Sequence, residues 1–157
     1  MNRDQFTDPD GRRIGALALF RNAAGFPLLL RKHNREHQPW CLPGGCAIGN
    51  ESPTAALRRK VHEETGLLAV PGLVLAVHRM PASPKTVEGH NLVFDCGELP
   101  VSTHFLLKDD EFDAHGFVPP DQIAVHTQPH TAARILSALR TLNAGGGIEL
   151  LQGVPIG

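Results

Sequence analysis

The sequence has no excess of charge of either sign. Its 15 lysines and arginines stand against 16 aspartates and glutamates, a net charge of −1 with the histidines neutral. The basic surplus that an extended nucleic-acid surface requires is therefore missing. Long apolar runs are missing too. Stretches such as Leu28 to Leu30 fall far short of the ~20 residues that cross a bilayer, so no membrane partner is expected. The polar start from Met1 to Arg13 has no apolar segment of the kind a secretion signal uses. Cysteine is scarce: Cys41, Cys46 and Cys96. An odd, small number argues against a disulfide framework and for a reducing, cytoplasmic setting. His33, His37, Cys41 and Cys46 are closely spaced but match no zinc pattern. The remaining histidines show neither H-E-x-x-H nor triad spacing. No internal repeat is found.

What is present suits one domain. The 157 residues, 41% hydrophobic and 20% charged, allow a single core over 1–157, with 1–12 a polar arm and 145–157 a flexible tail. Ile14 to Phe20 reads as a strand, Asn22 to Gly25 as a turn and Phe26 to Arg31 as a second strand, together a hairpin. His33 to Gln38 is a polar loop. Trp40 to Leu42 is a short strand stopped by Pro43-Gly44-Gly45. Ser52-Pro53 opens a helix, serine as N-cap and proline at the first position, and Gly66 closes it. Leu67 to Met80 reads as strand, turn and strand about Pro71-Gly72. Pro81 to Gly89 is a loop, followed by strands at Asn91 to Cys96 and Thr103 to Leu107. Lys108 to Asp113 is an acidic loop, and Gly116 to Val118 a short strand. Thr131 to Asn143 is a second helix, with Ala132, Ile135, Leu136 and Leu139 on one face. The tail from Ile148 either pairs with a neighbouring subunit in a homodimer or stays free. Mixed strands with two separated helices imply an α/β or α+β sandwich on a mixed sheet.

The chemistry concentrates between Gly44 and Leu67, GGCAIGNESPTAALRRKVHEETGL. A glycine-rich turn leads into a helix whose end carries Glu63 and Glu64, while Glu51 sits just before the helix. A loop carboxylate folded back beside the helical pair would make an oxygen-rich cluster suited to a hard cation such as Mg²⁺. Such an ion can neutralise a diphosphate and lower the pKa of an attacking water. A bare Glu-Glu pair on a helix is more often solvated decoration; the joint spacings are what lift this case.

Those spacings resemble the box of the Nudix hydrolase family, G-x5-E-x7-R-E-U-x-E-E-x-G-U with U a bulky apolar residue. Gly45, Glu51, Arg59, Val61, Glu63, Glu64, Gly66 and Leu67 fall in register, and the approach Trp40-Cys41-Leu42-Pro43-Gly44-Gly45 also looks like the family's lead-in. The resemblance implies a Nudix-type α/β/α sandwich with a mixed central sheet. It implies metal-dependent hydrolysis of a nucleoside diphosphate linked to another moiety, with Mg²⁺ or Mn²⁺ held by Glu51, Glu63 and Glu64. It gives Glu63, Glu64 and Arg59 catalytic duties, Arg59 by supporting a box glutamate, which its i,i+4 spacing to Glu63 allows. Gly44 and Gly45 would supply the tight turn and the close approach of backbone to phosphate. The partner is a small-molecule nucleotide.

One position departs. Lys60 stands where the family has a glutamate. Its compact ammonium opposes the three remaining carboxylates and lowers the expected metal affinity. Three readings stay open. The enzyme works with a base from outside the box, for which Asp95, Glu98, Asp109, Asp110, Glu111 and His115 are candidates. Alternatively, the domain is catalytically impaired and serves as a nucleotide-binding sensor or carrier. In the third, Lys60 contacts substrate phosphate directly. Arg58 and His62 are expected to face solvent, and Trp40 to plug the core rather than stack on a base.

Overall fold

The computed structural model describes residues 3–33 and 37–153. Eight strands and three helices run in the order β1 (Arg12–Arg21), β2 (Leu28–Lys32), β3 (Trp40–Cys41), β4 (Gly44–Cys46), α1 (Pro53–Thr65), β5 (Val74–Met80), β6 (Glu88–Glu98), β7 (Phe112–Phe117), α2 (Ile123–His126), α3 (Pro129–Asn143) and β8 (Glu149–Gln152). A five-stranded sheet has the order β4-β1-β6-β5-β8 and a three-stranded sheet the order β3-β2-β7. The larger sheet is mixed: β1 runs parallel to β6 and β5 parallel to β8, while β1–β4 and β5–β6 are antiparallel.

Strand periodicity explains the layers. Side chains alternate across a strand, and β1 uses both faces. Ala16, Ala18 and Phe20 pack with Ala56, Leu57 and Val61 of α1. Leu19, with Leu17 at the margin, packs with Ala132, Ile135, Ala138 and Leu139 of α3. One helix thus covers each face of the sheet, the α/β/α sandwich that the resemblance implied. The first helix begins as read: Ser52 caps α1 by accepting a hydrogen bond from Ala55 N at 3.1 Å, a contact worth about 1 kcal/mol, whereas α3 starts at Pro129, ahead of the expected Thr131. Gly66 ends α1 at φ 76°, in the left-handed region.

Several expectations fail for reasons of pairing. The first two strands are not a regular hairpin: β1 and β2 belong to different sheets, and meet at a bridge between Arg21 and Pro27 around the turn that Asn22 N closes onto Phe26 O. Gly44 and Gly45 do not merely stop a strand but form β4, because the edge of β1 offers them a partner. Leu67 to Leu73 and Thr103 to Leu107 form no strand. The expected acidic loop ends early, since Phe112 begins β7 against β2. The short α2 was not anticipated. Residues 145–157 were expected to be a flexible tail, yet Glu149–Gln152 forms β8 and adds in parallel to β5; the end of that tail, 154–157, lies outside the described residues, as do 34–36 of the polar loop.

Candidate active-site cleft

Glu64 is the pivot of the site. It lies on the same α1 stripe as Leu57 and Val61, so the helix face that packs on the sheet also buries this carboxyl, 2% exposed. One oxygen accepts a hydrogen bond from Gly44 N at 2.7 Å. Burial pushes its pKa up to about 7, against the opposing pull of the Gly44 N–H and of the Lys60 and Lys32 charges, with Glu111 adding a like charge. Gly44 can hold this position because it is glycine. Its φ is 131°, and a Cβ there would lie 2.2 Å from Ala16 O.

Gly45 serves a different purpose. The aliphatic stem of Lys60 crosses directly over it, and a Cβ would fall 2.6 Å from Lys60 Cε. Lys60 is thereby laid into a cleft of about 580 Å³, which Gly44, Gly45 and Glu64 also line. Its ammonium is 3.6 Å from Glu63. Glu63 itself points outward, its side chain 43% exposed.

Arg59 does support a box glutamate, but chiefly a different one. Its Nε and Nη2 donate to both oxygens of Glu51, at 2.8 and 2.9 Å, and Nη2 also reaches Cys46 O at 3.1 Å. The contact to Glu63 is longer, 3.4 Å. The Arg59 guanidinium holds the Glu51 carboxyl below the usual range.

The three carboxylates therefore do not share one centre: Glu51 is held by Arg59, the half-exposed Glu63 meets Arg59 and Lys60 at longer range, and Glu64 turns to the Gly44 amide. Among the described residues, no group of three or more His, Cys, Asp or Glu side chains is placed to hold a metal ion. This donor set does not fit an ion held jointly by Glu51, Glu63 and Glu64. A bidentate arginine occupies one ligand and a lysine stands beside another.

Of the six candidate bases outside the box, Glu111 alone lines the cleft; its side chain also meets Lys108 at 3.2 Å. Asp95 is tied to Arg21 at 3.1 Å, and His115 stacks on Phe105 with ring centroids 4.2 Å apart. Glu98, Asp109 and Asp110 lie away from the cleft walls. Arg58 and His62 are exposed, as expected. Trp40 is half-buried: it packs on the core below α3 and also lines the cleft, with the Arg31 guanidinium 5.8 Å from its ring centroid. Sequence reasoning missed Arg13, Lys32 and Arg134, which contribute three cations to the same walls. They come from β1, β2 and α3, and no local motif joins them.

The family model described as NUDIX domain matches residues 11–139. The human diphosphoinositol polyphosphate phosphohydrolase 3-alpha is 32% identical over 85 residues, covering 54% of this chain and 52% of that protein; the chain thus spans about half the length of the curated relative it matches. Among solved structures, the MutT protein from Methanosarcina mazei Go1 superposes with a TM-score of 0.67 at 27% identity, covering 85% of this chain and 94% of that one. A UDP-X diphosphatase superposes with a TM-score of 0.73 at 21% identity, covering 89% and 67%, a likeness of fold. With the family model spanning most of the residues and the box seated at the start and along the length of α1, this chain belongs to the Nudix hydrolase family.

Proposed function

We propose that this chain hydrolyses a nucleoside diphosphate linked to a second moiety, with Glu64 and Lys60 as the groups that meet the reacting diphosphate. The observation that carries this reading is a buried carboxylate fixed by the Gly44 amide in a cleft otherwise rich in cations. The relative's printed name speaks of a diphosphoinositol polyphosphate, which supports a diphosphate as the scissile group.

In this reading water attacks one phosphorus of the diphosphate. A new P–O bond forms, the bridging P–O bond breaks, and the second phosphate leaves with the bridging oxygen. Glu64 takes the proton of the attacking water. Lys60 and Lys32 stabilise the charge that gathers on the phosphate oxygens. Arg59 positions Glu51 and the loop before α1, Gly44 orients Glu64, and Gly45 leaves room for Lys60. Glu63 tempers the Lys60 charge. Nudix hydrolases generally use divalent metal ions; Glu51, Glu63 and Glu64 as placed do not fit Mg²⁺ or Mn²⁺ held between them, and Lys60 and Lys32 supply the charge neutralisation that such an ion would give.

A second reading is favoured by the dispersal of the carboxylates: a nucleotide-binding domain with impaired catalysis. One experiment separates the two. The protein is incubated with dNTPs, ADP-ribose, NADH and nucleotide sugars, each with Mg²⁺, Mn²⁺ or EDTA, and products are resolved by chromatography. Turnover of any diphosphate supports hydrolysis. Thermal stabilisation by one compound without turnover supports the binding domain and overturns the first reading.

The reading extends to setting and assembly. The thiols of Cys46 and Cys96 are free, in keeping with a reducing cytoplasm. No helix among the described residues is long and apolar enough to cross a membrane. As an edge strand, β8 offers unpaired backbone groups to a second copy. A homodimer by light scattering supports that pairing, and a monomer at every concentration removes it.

A further inference from the structure

The cleft has a second wall that the box does not explain. Arg134, on α3, is 8% exposed and lines the cleft. Its one hydrogen bond among the described residues runs from Nε to His78 Nδ1 at 3.3 Å. No aspartate or glutamate among those residues forms an ion pair with it. Arg13, from β1, lines the same wall and likewise forms no ion pair with an aspartate or glutamate among the described residues. Every other described arginine except the exposed Arg58 is paired with an aspartate or glutamate.

An uncompensated buried guanidinium is costly, and a like charge alongside raises the cost. The fold nevertheless builds this pair deliberately. Gly89 is the register partner of Arg13 across β1 and β6, and a Cβ on it would lie 2.5 Å from Arg13 Cζ, so the missing side chain makes the bed in which that guanidinium lies. His78, buried at 3% exposure, anchors Arg134 from behind through Nε. The start of α3 opens on the same wall, with Gln128 and Thr131 lining it and no side-chain cap from Gln128. A helix N-terminus attracts anions, and paired guanidinium groups match a dianion.

We propose that Arg13, Arg134 and the first turn of α3 form a binding site for a second phosphate group, so that the substrate carries a phosphomonoester separate from the diphosphate cut at the box. The phosphate site stands on the geometry of this wall; the identity of the rest of the substrate rests on the hydrolase reading above.

The test uses the full chain and two kinds of probe. Inorganic phosphate is titrated calorimetrically into wild type, Arg134→Gln, Arg13→Ala and Lys60→Ala. The proposal expects a phosphate site weakened about tenfold or more by either arginine variant and still present in Lys60→Ala. The second probe is a pair of matched compounds, NADPH against NADH and coenzyme A against its dephospho form. Wild type should favour the phosphomonoester-bearing member by about tenfold in Kd, and Arg134→Gln should bring that ratio close to one. Phosphate binding indifferent to both arginine variants, or equal affinity for the members of each pair, overturns the proposal. Should Arg134→Gln fail to fold, Arg13→Ala, at a half-buried position, decides. Arginine-dependent phosphate binding without turnover of any compound sinks the hydrolase reading and leaves this one standing. Turnover of a diphosphate with no such binding does the reverse.

Discussion

Arg59 grips both carboxylate oxygens of Glu51, at 2.8 and 2.9 Å, and so fastens the loop before α1 to the helix itself. This fork needs a planar guanidinium. Arg59→Lys should therefore lower the thermal midpoint by a few degrees and free the loop, although the charge is retained. Glu51→Gln should have a similar effect, and the double variant should be little worse than either alone. Fully additive losses in the two would show that the pair does not act as a clamp.

Gly44 and Gly45 should respond differently to the same added methyl group. At Gly44 the methyl meets rigid backbone, 2.2 Å from Ala16 O, at a φ of 131°. Gly44→Ala should cost about 3 kcal/mol or more in urea unfolding. At Gly45 it meets the flexible Lys60 stem. Gly45→Ala should cost less than about 1 kcal/mol yet raise KM, because Lys60 is pushed off its path. Equal losses of stability in the two variants would show that the two glycines serve the same need.

Lys60→Glu should reverse the balance of charge beside Glu63. Mn²⁺ affinity, read by electron paramagnetic resonance, should rise about tenfold, and metal-dependent turnover with it. Binding of inorganic diphosphate without metal should weaken. An unchanged Mn²⁺ affinity would remove Lys60 as the reason the carboxylates stay apart.

Glu64→Gln keeps an oxygen to accept the Gly44 N–H and should leave the fold intact. Turnover should fall about a hundredfold or more, with circular dichroism unchanged. A variant as fast as wild type would take Glu64 out of the reaction.

His78 makes stability depend on acid. Burial, reinforced by the Arg134 charge, pushes its pKa down from 6.5 to about 4. Between those values the unfolded chain carries a proton that the folded chain does not. The contribution is full above pH 6.5 and is lost as pH falls toward about 4. His78→Asn retains an acceptor for Arg134 Nε without titrating. Its thermal midpoint should fall less steeply than that of wild type across this window; parallel profiles would contradict the buried neutral imidazole.

What was legible in the sequence was local. Ser52, Pro53 and Gly66 set the ends of α1 because caps act within a few residues. The box spacing from Gly45 to Leu67 placed Glu63 and Glu64 at the end of that helix. What was hidden depended on distant partners. Gly44 to Cys46 reads as a break until the β1 edge is there to receive it, and Glu149 to Gln152 reads as a free tail until β5 is. Thr103 to Leu107 has strand-like residues but no strand beside it. Arg13 and Arg134 are 121 positions apart, and only the folded sheet brings them to one wall. Arg59 was matched to Glu63 by helical spacing, while the stronger bond runs back to Glu51 through the fold of the preceding loop.

Beneath α1 the sheet presents Ala16 and Ala18, both fully buried. Two methyl groups thus set the height at which the helix rests, and with it the reach of every side chain that α1 extends toward the cleft. A bulkier residue at either place would act as a shim, raising the whole catalytic edge while leaving each cleft residue chemically unaltered. The calibration of this site is therefore stored in the smallest side chains of β1, on the same side of the helix as the buried Glu64.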